Sequence, residues 1–300
     1  MTVERTVGDL ALARARWGWT EIAFWLFAIA SIFLFSDRYL ILTEMAWLGL
    51  FALSLDLILG YAGIVSLGHA AFFGVGAYSA GLLAVHGIIK EPVLALLVAG
   101  LAAMVLGFVT SFLVIRGSEL SQLMVTLGIA LLLRELANKF SNITGGFDGL
   151  QGISIDPILG LFAFDLYGKV GYIYCLVVLF ILFLLARRIV NSPFGLSLRA
   201  IRNNPLRAAA IGIPVNRRLI AIYTISAFYA GIAGALFTQT TALASLDVFS
   251  FERSADLLLV LIVLIGRDRM YRGVLWLPRH LFQLFRKAHA KPAVSDGGAP

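Results

Sequence analysis

Charge is what this 300-residue sequence has least of: 14% of its residues are charged, against 60% hydrophobic. Soluble domains carry about 25% charged residues, so the chain lacks the polar surface to cover itself in water. Cysteine is nearly absent too. The single Cys175 lies within an apolar run, which excludes an intrachain disulfide and leaves a small core residue. No G-x-x-x-x-G-K-[ST] occurs; the one Gly-Lys pair, at Gly168 and Lys169, is followed by valine. ATP binding through a P-loop is thereby excluded on this chain. The four histidines, His69, His86, His280 and His289, make neither metal-ligand spacing nor a Ser/His/Asp arrangement legible in sequence. No metal, cofactor or catalytic residue is expected, and the chain does not read as an enzyme.

What is present is a series of long apolar runs without polar alternation, with a mean hydropathy of +0.91. They predict an all-α, polytopic transmembrane bundle rather than a barrel, whose strands would alternate apolar and polar residues. Helices are expected near 20–36, 40–60, 63–87, 92–115, 120–138, 169–187, 218–242 and 253–266, about eight spans with both termini on one side. Arg5, Arg14 and Arg16 precede the first run, and no small-x-small cleavage site follows, so the first helix reads as retained.

The segment between Arg187 and Arg218 sets the orientation. It contains Arg188, Arg199, Arg202, Arg207 and Arg217 and no acidic residue, which makes the 188–217 loop cytoplasmic by the positive-inside rule. Counting spans from it puts the N-terminal segment 1–19 and the basic tail 267–300 inside as well, and the 139–168 loop outside. The net charge of +7 is therefore a topology signal more than a nucleic-acid footprint, and no nucleic-acid partner is expected.

Within that basic loop, Asn204 and Pro205 form an N-cap and first-turn pair, and Gly212 followed by Pro214 stops the same element. A short helix at about 205–211 results, with Ala208, Ala209 and Ala210 small enough to pack into a groove on a soluble partner. A basic loop that only fixes topology is the plainer alternative. Ionisable residues in or near the spans are few: Glu44, Asp56, Arg134 and Glu135. Asp56 lies near the inner end of its span and Arg134 with Glu135 near the outer end of theirs, which favours snorkelling or structural pairing over a part in translocation.

The stretch GYAGIVSLGHAAFFGVGAYSAG, 60 to 81, is crowded with glycine. Two uses are open. Ala70 with Gly74, and Ala77 with Gly81, stand four apart and suit close helix packing, while Gly60, Gly63 and Gly68 suit a break that exposes backbone polar groups. Gly63, Ser66, Gly68, His69 and Gly74 are accordingly the candidates for a translocation pathway or for helix packing. In the outer loop, Gly145, Gly146, Asp148 and Gly149 make turns whose amides can approach a ligand or partner.

Together with TGGFDGL at 144–150, RAIRNNPLRAAAIGIP at 199–214, AGIAGAL at 230–236 and FSFERSADLLL at 249–259, this stretch resembles LivM-type permeases, membrane subunits of branched-chain amino acid ABC importers. The resemblance spans roughly residues 40 to 265. It implies that 192–214 is the coupling loop docking a cytoplasmic ATPase, with Arg199, Arg202, Pro205, Ala209 and Gly212 at the contact. It also implies a second, LivH-like permease subunit, two ATPase subunits, and a periplasmic or extracellular substrate-binding protein received by the outer loop. The setting is the bacterial inner membrane, with lipid around the bundle. An ion- or proton-coupled carrier of a small zwitterionic or amide solute, a urea or amide ABC permease, and a membrane-embedded enzyme or structural subunit remain as alternatives. One departure stands out: such permeases continue from FSFERSADLLLVLIVLIG into a glycine-rich segment and further helices. Here the chain goes to RDRMYRG, so about two spans are expected to be missing. The tail WLPRHLFQLFRKAHAK, 276 to 291, has an apolar face suited to a membrane surface.

Overall fold

The computed structural model describes residues 19–35, 37–158, 160–165 and 168–258. The N-terminal arginines, the second half of the eighth expected span, the junction at RDRMYRG and the amphipathic tail lie outside the described residues. In chain order the elements are α1 (Trp19–Leu34), α2 (Tyr39–Asp56), α3 (Ala70–Val85), α4 (Pro92–Val114), α5 (Glu119–Lys139), α6 (Lys169–Asn191), α7 (Pro193–Asn203), α8 (Pro205–Ala210) and α9 (Val215–Thr241). A further helix starts at Phe251 and is described to Leu258. No strand forms among the described residues, where pairing is limited to the isolated bridges Leu150 with Ala244 and Ile158 with Phe162.

Local chemistry sets several of the boundaries. Three helices start on a polar side chain followed by proline: Glu91 accepts from the Leu94 N–H at 2.6 Å, Ser192 from Gly195 at 3.4 Å, and Asn204 from Arg207 at 3.0 Å. In each case a first-turn amide is satisfied by the cap, and proline occupies a position that needs no donor. Helix α8 closes on Gly212, which takes φ +85° while the Ile213 N–H returns to the Ala208 carbonyl at 3.1 Å.

Among the described residues, five helices are long and apolar enough to cross a membrane: Tyr39–Ala62, Pro92–Val114, Leu120–Lys139, Lys169–Asn191 and Val215–Thr241. Burial ranks them. The best apolar window of α9 is 72% buried and that of α5 only 17%, so α9 is the axis of the bundle and α5 lies at its edge. The small residues of AGIAGAL make that axis possible: Ala230, Gly231, Ala233, Gly234 and Ala235 are all buried. A Cβ on Gly231 would meet the Ala103 methyl on α4, and one on Gly234 would overlap the Phe73 carbonyl on α3. Without a hydrophobic drive between helices in lipid, such close backbone approach supplies much of the association.

The expected continuous span at 63–87 is corrected. Residues 63–69 are not helical, and α3 begins only at Ala70. Its 16 residues rise about 24 Å, short of a hydrocarbon core of about 30 Å. The cause lies at the end of α2, which runs on as a π-helical turn over Leu57–Ala62 and stops where Gly63 adopts φ +78°, a conformation that costs little only without a Cβ.

Packing on α3 differs from the expected four-apart pairs. Its closest backbone neighbour is α9, reached through Gly76, whose added Cβ would overlap Gly231. Gly74 instead seats the Phe249 ring, and a Cβ on Gly81 would stand 2.7 Å from Leu150 of the 139–168 loop.

Candidate functional site

At the arginine-rich end, the loop holds two helices where one was expected. Helix α7 was signalled by Ser192 and Pro193, the same cap-and-proline pair that marks α8. It buries Gly195, Leu198 and Ile201, a three-residue spacing that makes one apolar face. From α7, the Arg202 guanidinium donates to the Gly60 carbonyl in the π-turn, and its Cγ lies 3.1 Å from where a Gly63 Cβ would be. Arg199 places its guanidinium 5.2 Å from the centre of the Tyr61 ring, within cation–π range.

The five residues expected at one contact therefore divide. Arg199 and Arg202 engage the chain's own π-turn, whereas Pro205, Ala209 and Gly212 lie exposed on α8 and its stop. Leu206 and Ile211 flank them, 83% and 74% exposed. Beside the arginines is a polar hollow of about 270 Å³ lined by Glu21, Asp56, Tyr61, Arg187 and Arg199 among others. An ion pair between Glu21 and Arg187 joins α1 to α6 at its rim.

Midway along the bundle lies the break. His69, fully buried, sits beside Ser54 of α2 and Ser226 of α9, with Nε2 at 3.0 Å and 3.2 Å from their hydroxyl oxygens. Ser54 lies six residues before Gly60, about 9 Å along the helix, and Ser226 is 11 residues past Val215, about 17 Å. Both hydroxyl protons are committed, Ser54 to the Phe51 carbonyl at 2.6 Å and Ser226 to the Ser54 carbonyl at 2.5 Å. Their oxygens can then only accept, so Nε2 carries the imidazole proton and Nδ1 is left as a lone pair. The ring stacks on Phe51 at 5.7 Å and meets Phe72 edge-on at 5.3 Å.

The first amides of α3 are also taken. Ala70 donates to Ser254 Oγ at 2.7 Å, Ala71 to the Gly68 carbonyl and Phe72 to that of His69. Gly68 lies so close to α5 that a Cβ would overlap the Thr126 carbonyl. Ser66 is buried with no partner for its hydroxyl. The break thus joins α2, α3, α5, α9 and the helix after Phe251 at one level. Ser54, Ser226 and Ser254 were not singled out from sequence, although Ser254 stands within the quoted FSFERSADLLL.

Towards the opposite end, Arg253 reaches across three helices. Its guanidinium is 6.0, 5.7 and 4.9 Å from the ring centres of Trp47, Phe73 and Phe237, and pairs with Asp247 at 3.1 Å. The glycines of the 139–168 loop make its turns, with Gly145, Gly146 and Gly149 at positive φ. They leave Asp148 and Phe147 exposed, and Leu150 donates to the Ala244 carbonyl at 2.7 Å. Between α2, α6, α9 and this loop opens a cleft of about 590 Å³, walled by Trp47, Ile155, Phe164 and Phe237 and carrying Glu44, Asp165 and Gln239.

Membrane-length helices around a small-residue axis, with a non-helical stretch at 63–69 that leads into the bundle where buried polar side chains meet, define a multi-pass α-helical membrane protein. Residues 39–275 match the family described as branched-chain amino acid transport system / permease component, and the chain belongs to that family. It is a multi-pass inner-membrane protein. It is 29% identical over 246 residues to the high-affinity branched-chain amino acid transport system permease protein LivM of Escherichia coli K12, covering 74% of this chain and 57% of that protein. The Salmonella typhimurium LT2 protein of the same description is 29% identical over 247 residues, again with 74% and 57% covered. The probable branched-chain amino acid transport permease protein LivM of Methanocaldococcus jannaschii is 28% identical over 234 residues, 66% of each chain. The chain thus spans little more than half the length of the two bacterial relatives. No solved structure matches.

Proposed function

We propose that the chain is a permease subunit of an ATP-driven importer for branched-chain or related amino acids, forming part of the translocation pathway and docking a separate ATPase through residues 192–214. In this reading the arginine-rich end and both termini are cytoplasmic, and the 139–168 loop faces a substrate-binding protein. A second permease and two ATPases complete the assembly. The observation that carries the reading is the link from α7 to the break. Arg202 holds the Gly60 carbonyl, Arg199 covers Tyr61, and the π-turn they grip leads directly through Gly63 to His69. A partner pressing on the exposed face of α8 would move α7 with it, since α8 follows α7 across the single residue Asn204. That motion would reach the middle of the membrane through the non-helical residues 63–69, which run from the π-turn to His69.

Co-expression with the candidate partner subunits, followed by pull-down and uptake in proteoliposomes, tests the proposal. Gly212→Arg, on the exposed stop of α8, should weaken ATPase capture. Arg202→Glu should leave capture intact while uncoupling ATP hydrolysis from uptake. Transport that proceeds in ATP-depleted vesicles without any co-purifying ATPase would overturn the reading.

A further inference from the structure

A groove of about 490 Å³ runs between α4 and α9 at the arginine-rich end. Met104, Phe108 and Phe112, four residues apart, form the α4 wall, and Ile220, Ala221 and Ile225 form the α9 wall. The three α4 side chains are exposed, so the groove opens at the surface of the bundle. Beneath it the helices close up: a Cβ on Gly107 would meet the Ala227 methyl and lie 3.7 Å from Thr224 Cα. Thr224 is the one uncharged polar residue in the lining, and its hydroxyl proton is spent on the Ile220 carbonyl at 2.8 Å. From Met104 to Phe112 the wall rises about 12 Å, most of the depth of one leaflet in a hydrocarbon core of about 30 Å. A helix about 10 Å across would fill on the order of 900 Å³ over that length. The groove offers about half of this, which suits a single chain of methylenes.

Arg217 stands at the membrane-surface end of the groove. The antiparallel register of the two helices brings a second arginine to its level. Gly231 meets Ala103 and Gly107 meets Ala227, so each step forward on α4 is a step back on α9. Arg116, nine residues after Gly107, therefore falls level with Arg217, ten before Ala227. Arg187, Arg199, Arg202 and Arg218 are each engaged within the chain, whereas Arg116 and Arg217 are exposed and have no ion-pair partner among the described residues. We propose that this groove binds an anionic glycerophospholipid, with its phosphate between Arg116 and Arg217 and one acyl chain along Phe112, Phe108 and Met104. Guanidinium forks match phosphate oxygens. Two uncompensated positive charges also favour a headgroup of net negative charge over a zwitterionic one, whose ammonium they would repel. The occupant must be apolar over most of a leaflet and anionic at one end, which is the chemistry of a lipid rather than of a helix from another subunit.

Native mass spectrometry of the full-length chain in detergent tests this, by titration with phosphatidylglycerol and with phosphatidylcholine of the same acyl chains. The first phosphatidylglycerol should bind about 25-fold more tightly than phosphatidylcholine, about fivefold for each arginine. Arg116→Gln and Arg217→Gln should each lose that fivefold, and the double variant should bind both lipids alike. Both side chains are exposed, so their replacement leaves the packing intact. Arg207→Gln removes an equally exposed charge from α8, outside the groove lining, and should change nothing. Ala221→Phe fills the groove from a half-buried position and should weaken both lipids, with a monodisperse elution profile as the check on its folding. Glycerophosphate, which keeps the phosphate and lacks the chains, should not compete. Equal affinity of the unaltered chain for the two lipids, a loss in Arg207→Gln as large as in the groove variants, or full binding by Ala221→Phe overturns the proposal. Disulfide-linked dimers of Phe108→Cys in phosphatidylglycerol vesicles would overturn it too, by placing a second copy of the chain where the lipid is expected.

Discussion

Gly76→Ala adds a single methyl group where α3 crosses α9, and the structure says how badly it fits. The three atoms nearest the new Cβ are the carbonyl oxygen, Cα and carbonyl carbon of Gly231, all backbone and all in overlap. No side-chain rotation can relieve this. Nor can Gly231 retreat, because its own Cβ position already meets the Ala103 methyl and lies 3.1 Å from the Ala99 carbonyl oxygen of α4. The methyl must therefore push three helices apart. Overpacking a close-packed core costs about 1–3 kcal/mol, and with backbone on every side the cost should fall in the upper half of that range. In a chain of this size each kcal/mol moves the midpoint about 2–4 °C, so Gly76→Ala should melt on the order of 4–12 °C lower. Gly128 on α5 supplies the control, with nothing within 4 Å of an added Cβ. There alanine should be neutral or gain up to about 1 kcal/mol of helix propensity. Thermal unfolding of the detergent-solubilised chain, followed by circular dichroism, compares the two. Equal midpoints for Gly76→Ala and Gly128→Ala would refute the claim that glycine is needed at this crossing.

Two further outcomes follow from the break. Ser254→Ala removes the acceptor of the Ala70 N–H and should cost about 1 kcal/mol, the usual loss for a helix cap; hydrogen exchange of the first turn of α3 should accelerate, and unchanged exchange would show that the contact does not hold the helix end. His69→Leu leaves the Ser54 and Ser226 oxygens without their donor and should destabilise by about 1–3 kcal/mol, while His69→Gln, which keeps an N–H, should lose less. Equal melting of the two variants would count against the tautomer assigned to His69.

Much of this molecule is legible from residue order because the bilayer imposes rules that act locally. A span must be apolar over a fixed length, so hydropathy alone located α2, α4, α5, α6 and α9 to within a few residues. Cap chemistry is local as well. Asn204 with Pro205 and Gly212 with Pro214 bracketed α8, and the same rule applied to Ser192 and Pro193 would have found α7. Composition already restricted α9 to close neighbours, since AGIAGAL offers no bulk to hold another helix away.

What residue order left open are the matters that depend on which surfaces meet. The glycines at 60–81 allowed both a break and a tight crossing, and the fold uses both: Gly63 turns the chain, and Gly76 lies against Gly231. Four-residue spacing pointed to Gly74 and Gly81, but which glycine faces a backbone depends on how α3 is rotated against α9, and no local rule fixes that rotation. Arg199 and Arg202 read as contacts for a partner ATPase, whereas in the fold the π-turn supplies a carbonyl and a ring for them to bind. His69 was ambiguous for the same reason: its partners, Ser54 and Ser226, lie 15 and 157 residues away. The sequence determined by itself which segments enter the membrane, because that choice is made one helix at a time by transfer free energy. Only the tertiary structure decided which polar and small residues meet inside it, because that depends on contacts between helices far apart in the chain.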